Sequence, residues 1–180
     1  MKKISAFLFN KILGWRVANE VPRLPKCVIT VAPHTSNWDF IVAKLAYSSL
    51  GRTAHFLIKS EWFVFPFNLF FKRIGGIPVK RDRSESLTDT LAEEFQKRDQ
   101  MELAIAPEGT RKPVTEWKKG FYFIALKAGV PIMLIGLDYS NKEARFLGLF
   151  QATGDYERDI PKIKSCYRNL QGKKPENFLL

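Results

Sequence analysis

Cysteine and histidine are scarce in this chain of 180 residues, with two of each. Cys27 and Cys166 are too few for a disulfide framework, and they lack metal-ligand spacing. With only two histidines besides, no metal site is expected. Long hydrophobic runs are missing too. No stretch reaches the ~18 uninterrupted apolar residues that mark a membrane-crossing helix. The opening MKKISAFLFNKILGW begins with lysines, but Asn10 and Lys11 break its apolar positions and no small-residue cleavage site follows, which argues against a secretory signal. A cytoplasmic protein is expected, with a membrane surface open to it. There is no G-x-S-x-G elbow, and Ser36 stands only two residues from His34, cramped for a serine–histidine dyad. Acidic charge is in the minority, 18 Asp and Glu against 29 Lys and Arg, for a net charge of +11.

A field of that size favours anionic partners: nucleic acid, an anionic membrane, or phosphorylated substrates. The basic residues are dispersed and no recognised nucleic-acid motif is present, so nucleic acid is not the expected partner. Hydrophobic content of 46% with 26% charge is ordinary for a globular chain, and the length suits about one domain.

Residues 1–20 carry Ile4, Phe7, Leu8, Ile12 and Trp15 near one helical face with Lys2, Lys3, Lys11 and Arg16 around them, which predicts an N-terminal amphipathic helix over 1–22 ahead of a domain over 23–180. CVITVA (27–32) is a continuous, β-branched run that suits a buried parallel strand. Helical spacing returns over 37–50, and strands are expected at 55–59, 77–80, 102–107, 130–139 and 144–150. Helices are expected near 84–98, 120–129 and 157–171. Between them, the Phe-dense stretch 62–71 is expected to pack most of its rings in the core; its other reading is an acyl-chain groove or a contact with lipid. Strands and helices alternate without repeats, which predicts a single α/β domain with a mixed, largely parallel sheet flanked by helices. In such folds, sites gather where strands end and the loops before helices begin.

Two strand ends turn suddenly polar, APH at 32–34 and APEGTR at 106–111. His34 ends the first, and Asp39 falls in or near the first turn of the next helix, where the dipole favours a carboxylate. Asp39 can accept a hydrogen bond from one imidazole nitrogen and leave the other as a base. Alternatively, the pair is a loop histidine and an ordinary helix-end charge. In the second stretch, Gly109 permits close approach to a ligand, and Arg111 can grip a phosphate or carboxylate through two parallel hydrogen bonds. Glu108 can hold an arginine or bind hydroxyls. A surface turn with a salt bridge is the other reading. A third stretch, GGIPVKRDR (75–83), ends a strand in Lys80 and Arg81.

Taken in order, His34-x-x-x-x-Asp39, Gly75 through Arg81, Glu108-Gly109-Thr110-Arg111 and Val130-Pro131-Ile132 resemble the four motifs of the glycerolipid acyltransferase family, which includes the 1-acylglycerol-3-phosphate acyltransferases. The resemblance covers roughly residues 25–140. It implies a glycerol-phosphate acyltransferase-like fold and an acyltransferase that moves a fatty acyl group from acyl-CoA or acyl carrier protein to the hydroxyl of a lysophospholipid such as 1-acylglycerol 3-phosphate. His34 would be the general base and Asp39 would orient it. Arg81, Glu108, Gly109, Thr110 and Arg111 would bind substrate, and Pro131 would belong to a supporting strand. The thioester is a co-substrate, and neither cofactor nor metal is implied. The protein would lie peripherally on the cytoplasmic membrane, against an anionic surface. Ala106, where relatives often have Phe, and Pro78 inside the second motif depart from the family pattern. They leave open a transferase for a non-phosphate lipid acceptor. A non-catalytic basic membrane-binding module of the same fold is the other alternative, as is a hydrolase using the same base.

Overall fold

The strand-like runs of the sequence assemble into one seven-stranded sheet in the computed structural model, which describes residues 2–79 and 84–180. In chain order the elements are α1 (Lys2–Phe7), β1 (Arg16–Val17), β2 (Lys26–Ala32), α2 (Trp38–Ser49), β3 (His55–Lys59), α3 (Phe67–Arg73) and β4 (Gly76–Val79). There follow α4 (Ser84–Lys97), β5 (Met101–Ile105), α5 (Gly120–Ala128), β6 (Ile132–Asp138), β7 (Glu143–Phe150) and α6 (Tyr156–Ser165). The order across the sheet is β1-β7-β6-β2-β5-β3-β4. All neighbours run parallel except β6 and β7, which form an antiparallel hairpin. This is the mixed, largely parallel α/β sheet that the sequence predicts.

The connections decide which helices share a face. Passing from β2 to β3 to β4 moves one way across the sheet, and returning through β5 to β6 moves the other. Right-handed crossovers therefore put α2 and α3 on one face and α4 and α5 on the opposite one. Packing agrees. Val28 and Ala32 of β2 join a core with Leu91, Phe95, Phe121, Tyr122 and Ile163 from α4, α5 and α6, whereas Cys27 and Ile29 face the other way, with Ala54 and Met133. A strand buried on both faces cannot alternate polar and apolar residues, hence the unbroken CVITVA. Burial pushes the Cys27 thiol up to about 12, so it is an inert core residue. Gly129, at φ +67, closes α5 in the left-handed conformation.

Two expectations change. The predicted N-terminal helix is shorter than its apolar spacing implies. It runs as α1 and a wider helical turn over Leu8–Ile12. Gly14, at φ +69, then turns the chain so that Arg16–Val17 pairs with β7 at the sheet edge. Phe9 and Trp15 are buried against Val42 and Leu137, and Arg16 Nε donates to Glu143 at 2.8 Å rather than standing free beside the helix. The Phe-rich stretch differs more. Trp62, Val64, Phe65, Phe67, Leu69 and Phe70 are exposed, Phe65 by 80%. Core packing is therefore not the role of most of these side chains. Phe40 of α2 already packs edge-on against Phe56 of β3, with ring centroids 4.7 Å apart, and Lys44 of that helix reaches across to the Ile74 carbonyl.

Candidate active site

The two polar strand ends of the sequence lie side by side. β2 and β5 are adjacent and parallel, with Thr30 opposite Ile105, so residues 33–37 and 106–111 leave the sheet together. Residues 138–140 arrive there too, because β6 borders β2 on its other side.

Asp39 is the organising group. It is 1% exposed, and its two oxygens serve different neighbours. Oδ2 accepts the backbone N–H groups of Thr35 at 2.6 Å and Ser36 at 2.7 Å. Oδ1 accepts the hydroxyls of Ser36 at 2.9 Å and Tyr139 at 2.6 Å. The carboxylate thus staples the loop before α2 onto the helix's first turn. His34 Nδ1 lies 3.5 Å from Asp39 Oδ2, a long contact at the edge of hydrogen-bond reach. That leaves Nε2 as the free nitrogen of an imidazole whose side chain is 24% exposed. Burial opposes the charge on Asp39, but the contacts from His34, Tyr139 and Ser36 outweigh it and hold the carboxyl below its usual range.

Glu108 comes from the neighbouring loop and is also buried. Its Oε2 accepts the His34 backbone N–H at 2.8 Å, while Oε1 has no hydrogen-bond partner among the described residues. Burial pushes its pKa up to about 7, against the lowering effect of His34 and with the raising effect of Asp39. The site therefore holds one firmly anionic carboxylate and one that titrates near neutrality.

The rest of the predicted set is placed as follows. Gly109 sits at φ +66, where a Cβ would meet Lys118 Cγ at 2.9 Å, so glycine is required there. Thr110 Oγ1 accepts the Lys112 N–H at 3.2 Å, closing the turn. The exposed Arg111 guanidinium donates to Asn37 Oδ1, just before α2. It thereby stands beside the His34–Asp39 loop. Pro131 stands one residue before β6 rather than within it, and its carbonyl accepts from Val28 at 3.1 Å, which registers that strand against β2. Arg81 lies outside the described residues.

Two contributors escaped the sequence reading. Tyr139, at the end of β6, is held by an edge contact with Trp15 (ring centroids 4.7 Å apart) and by the turn in which Asp138 accepts from Ser140 and Asn141. The polar C-terminal segment is the other. Its Gln171 carbonyl accepts the Tyr139 N–H at 2.9 Å, and its Lys174 N–H donates to Thr35 Oγ1 at 3.1 Å. Lys173 Nζ sits 4.7 Å over the Trp38 ring. A polar residue closing the expected strand 130–139 was the available signal for Tyr139; nothing local marks the tail.

Tyr139→Phe keeps the ring against Trp15 and removes one donor from Asp39. A hydrogen bond to a charged group contributes about 1.5–3 kcal/mol, and we expect turnover to fall about tenfold. With one fewer donor the Asp39 carboxylate becomes more basic, so the acid limb of the pH–rate profile should move to higher pH. An unmoved limb and an unchanged rate would reduce Tyr139 to a packing residue.

Among the described residues, a cleft of about 1300 Å³ opens at this point, lined by His34, Asp39 and Gly109. Phe56 and Leu57, neighbours on β3 that point to opposite faces, both line it, as do Ala104 and Ile105 of β5. The cleft therefore wraps around the sheet at the strands' C-terminal ends. Its walls are mainly apolar, with Lys44, Lys59, Lys118 and Lys119 among the charged residues. No helix among the described residues is long and apolar enough to cross a membrane.

A family model described as Acyltransferase matches residues 16–137, well over half of the chain. Among solved structures, the chain is similar to PlsC, the 1-acyl-sn-glycerophosphate (LPA) acyltransferase from Thermotoga maritima, with 20% identity and a TM-score of 0.63. That likeness covers 91% of this chain and 73% of PlsC, and at this identity it shows a shared fold. No curated protein matches the chain.

Proposed function

Because the chain belongs to the acyltransferase family and is therefore an enzyme that moves acyl groups, we propose that it acylates a lysophospholipid such as 1-acylglycerol 3-phosphate, using an acyl-CoA or acyl carrier protein thioester. The observation that carries this reading is the His34–Asp39 pair at the mouth of a large apolar cleft, with the Arg111 cation beside it. His34 Nε2 takes the proton from the acceptor hydroxyl while Asp39 holds Nδ1. The oxygen attacks the thioester carbonyl, and the tetrahedral intermediate collapses by expelling the thiolate. The thiolate recovers the proton from His34, so neither a covalent acyl-enzyme nor a cofactor takes part. The apolar cleft suits the acyl chain. Arg111, and Arg81 by its place in the sequence, suit the acceptor phosphate, with Glu108, Gly109 and Thr110 shaping the turn that carries Arg111.

The protein would work peripherally on the cytoplasmic face of a membrane. Ile4, Phe7, Leu8 and Ile12 point outward from the N-terminal helical turns, with Lys2, Lys3 and Lys11 beside them. This arrangement suits an anionic lipid interface.

Mass spectrometry of the lipids formed from mixed acyl donors and a panel of lysolipids tests the reading. A new acyl ester that requires the acceptor supports it. Thioester loss without an acceptor would make the protein a hydrolase, and no turnover would make it a binding module. In the same assay, Arg111→Ala should raise the acceptor KM far more than the donor KM. Arg111→Lys should restore it only in part, because lysine lacks the planar fork. An unchanged acceptor KM in Arg111→Ala would favour a neutral acceptor.

A further inference from the structure

The two faces of this protein differ in what they show to solvent. Of sixteen exposed large apolar side chains among the described residues, thirteen belong to the N-terminal helical turns, the start of α2 and residues 60–73. The opposite layer, α4 to α6, contributes none of them. Scattered surface apolar residues need no explanation, but a one-sided concentration marks a contact surface.

Residues 60–73 are its most prominent part. The chain leaves β3 beside the cleft and returns to β4 only after a short helical turn, Ser60–Trp62, and α3. Phe63, Phe70 and Phe71 pack on one another at 5.7–5.8 Å between ring centroids and give the excursion an internal support. Trp62, Val64, Phe65, Phe67 and Leu69 point outward from it. Cations flank this apolar tip: Lys59 before it, and the exposed Lys72 and Arg73 after it. The nearby acid is Glu61, 3.9 Å from Lys59. An apolar tip ringed by cations complements a bilayer whose headgroups are anionic, with rings among the acyl chains and charges at headgroup level. Lys59 and Phe56 also line the cleft, so the tip and the cleft mouth share one end of the sheet.

We propose that residues 60–73 insert into an anionic lipid surface and, with the N-terminal turns, seat the cleft mouth on the membrane. The proposal rests on the lipid-acyltransferase reading for its choice of occupant. It makes this excursion, rather than the N-terminal turns alone, the principal anchor.

The test is sedimentation of the full chain with vesicles of mixed phosphatidylcholine and phosphatidylglycerol, at low and high salt. The Phe65→Ser/Phe67→Ser variant changes only side chains that point outward and leaves the Phe63–Phe70–Phe71 packing in place, so it should keep its fold by circular dichroism. It should bind about tenfold more weakly or worse, a loss that persists at high salt because it is apolar. Ile4→Ser/Phe7→Ser should lose less. Turnover of short, water-soluble substrates should be the same in Phe65→Ser/Phe67→Ser as in the parent, which separates a failed anchor from a failed activity. Equal vesicle binding by that variant and the parent overturns the proposal. So does light scattering that shows a dimer in the parent and a monomer in the variant, since the face would then join two copies of the chain.

Discussion

Replacing His34 with alanine is expected to lower acyl transfer by on the order of a hundredfold to ten-thousandfold, the usual contribution of a general base. The fold should survive, because the side chain is partly exposed and the contact that ties this residue to Glu108 runs through its backbone N–H. The loss should fall on kcat, with the KM for both substrates little changed, since a base acts on the reacting proton and not on ground-state binding. Asp39→Asn isolates the partner's charge. An asparagine can keep its oxygen toward the Thr35 and Ser36 amides and turn its NH2 toward the Ser36 and Tyr139 hydroxyls, which can accept. Asp39→Ala would instead strand those donors in a buried place and confuse lost activity with lost stability. We expect Asp39→Asn to cost on the order of a hundredfold or more, through a misoriented imidazole and an unsupported imidazolium. Stopped-flow thiol release on folded variants measures both. A His34→Ala protein turning over near the parent rate would remove His34 from the mechanism.

How much of this was legible in the sequence depended on distance along the chain. CVITVA reads as a doubly covered strand because burial on both faces erases alternation, and β2 does lie between β5 and β6. His34 and Asp39 are five residues apart and joined by one turn, so local reasoning could pair them. Tyr139 stands a hundred residues from Asp39 and meets it only because β6 lies beside β2. The lysines and amides of 171–174 reach Thr35 and Trp38 for the same kind of reason. The Phe-rich stretch misled in another way. Phenylalanine is ordinarily buried, so its abundance reads as core, whereas Phe65, Phe67 and Phe70 stand exposed here. In the N-terminal residues the apolar spacing is genuine, but Gly14 breaks the helix and sends Trp15 inward.

Glu108 should make the protein less stable as pH rises through neutrality. Its carboxyl moves from an ordinary 4.5 to about 7, chiefly because burial penalises the charge. The sign follows from linkage. The folded state holds this proton more tightly than the unfolded state, so the associated stability is complete below about 4.5. It is lost progressively as pH climbs to about 7 and beyond. At about 1.4 kcal/mol per pKa unit, the loss is on the order of 3 kcal/mol. Glu108→Gln mimics the protonated form: its carbonyl can take the His34 N–H, and its amide occupies the place of the unpartnered Oε1. The variant should therefore match the parent at pH 5 and exceed it at pH 8, by a melting-temperature difference on the order of 10 °C. Other groups titrate as well, Asp39 among them, so the parent–variant difference is the quantity to follow. The same proton bears on substrate. A neutral Glu108 beside Asp39 spares an anionic acceptor a second negative charge, and the acceptor KM of the parent should climb above pH 7 while that of Glu108→Gln stays flatter. Parallel melting curves for the two proteins across this range would mean that Glu108 ionises normally within the fold.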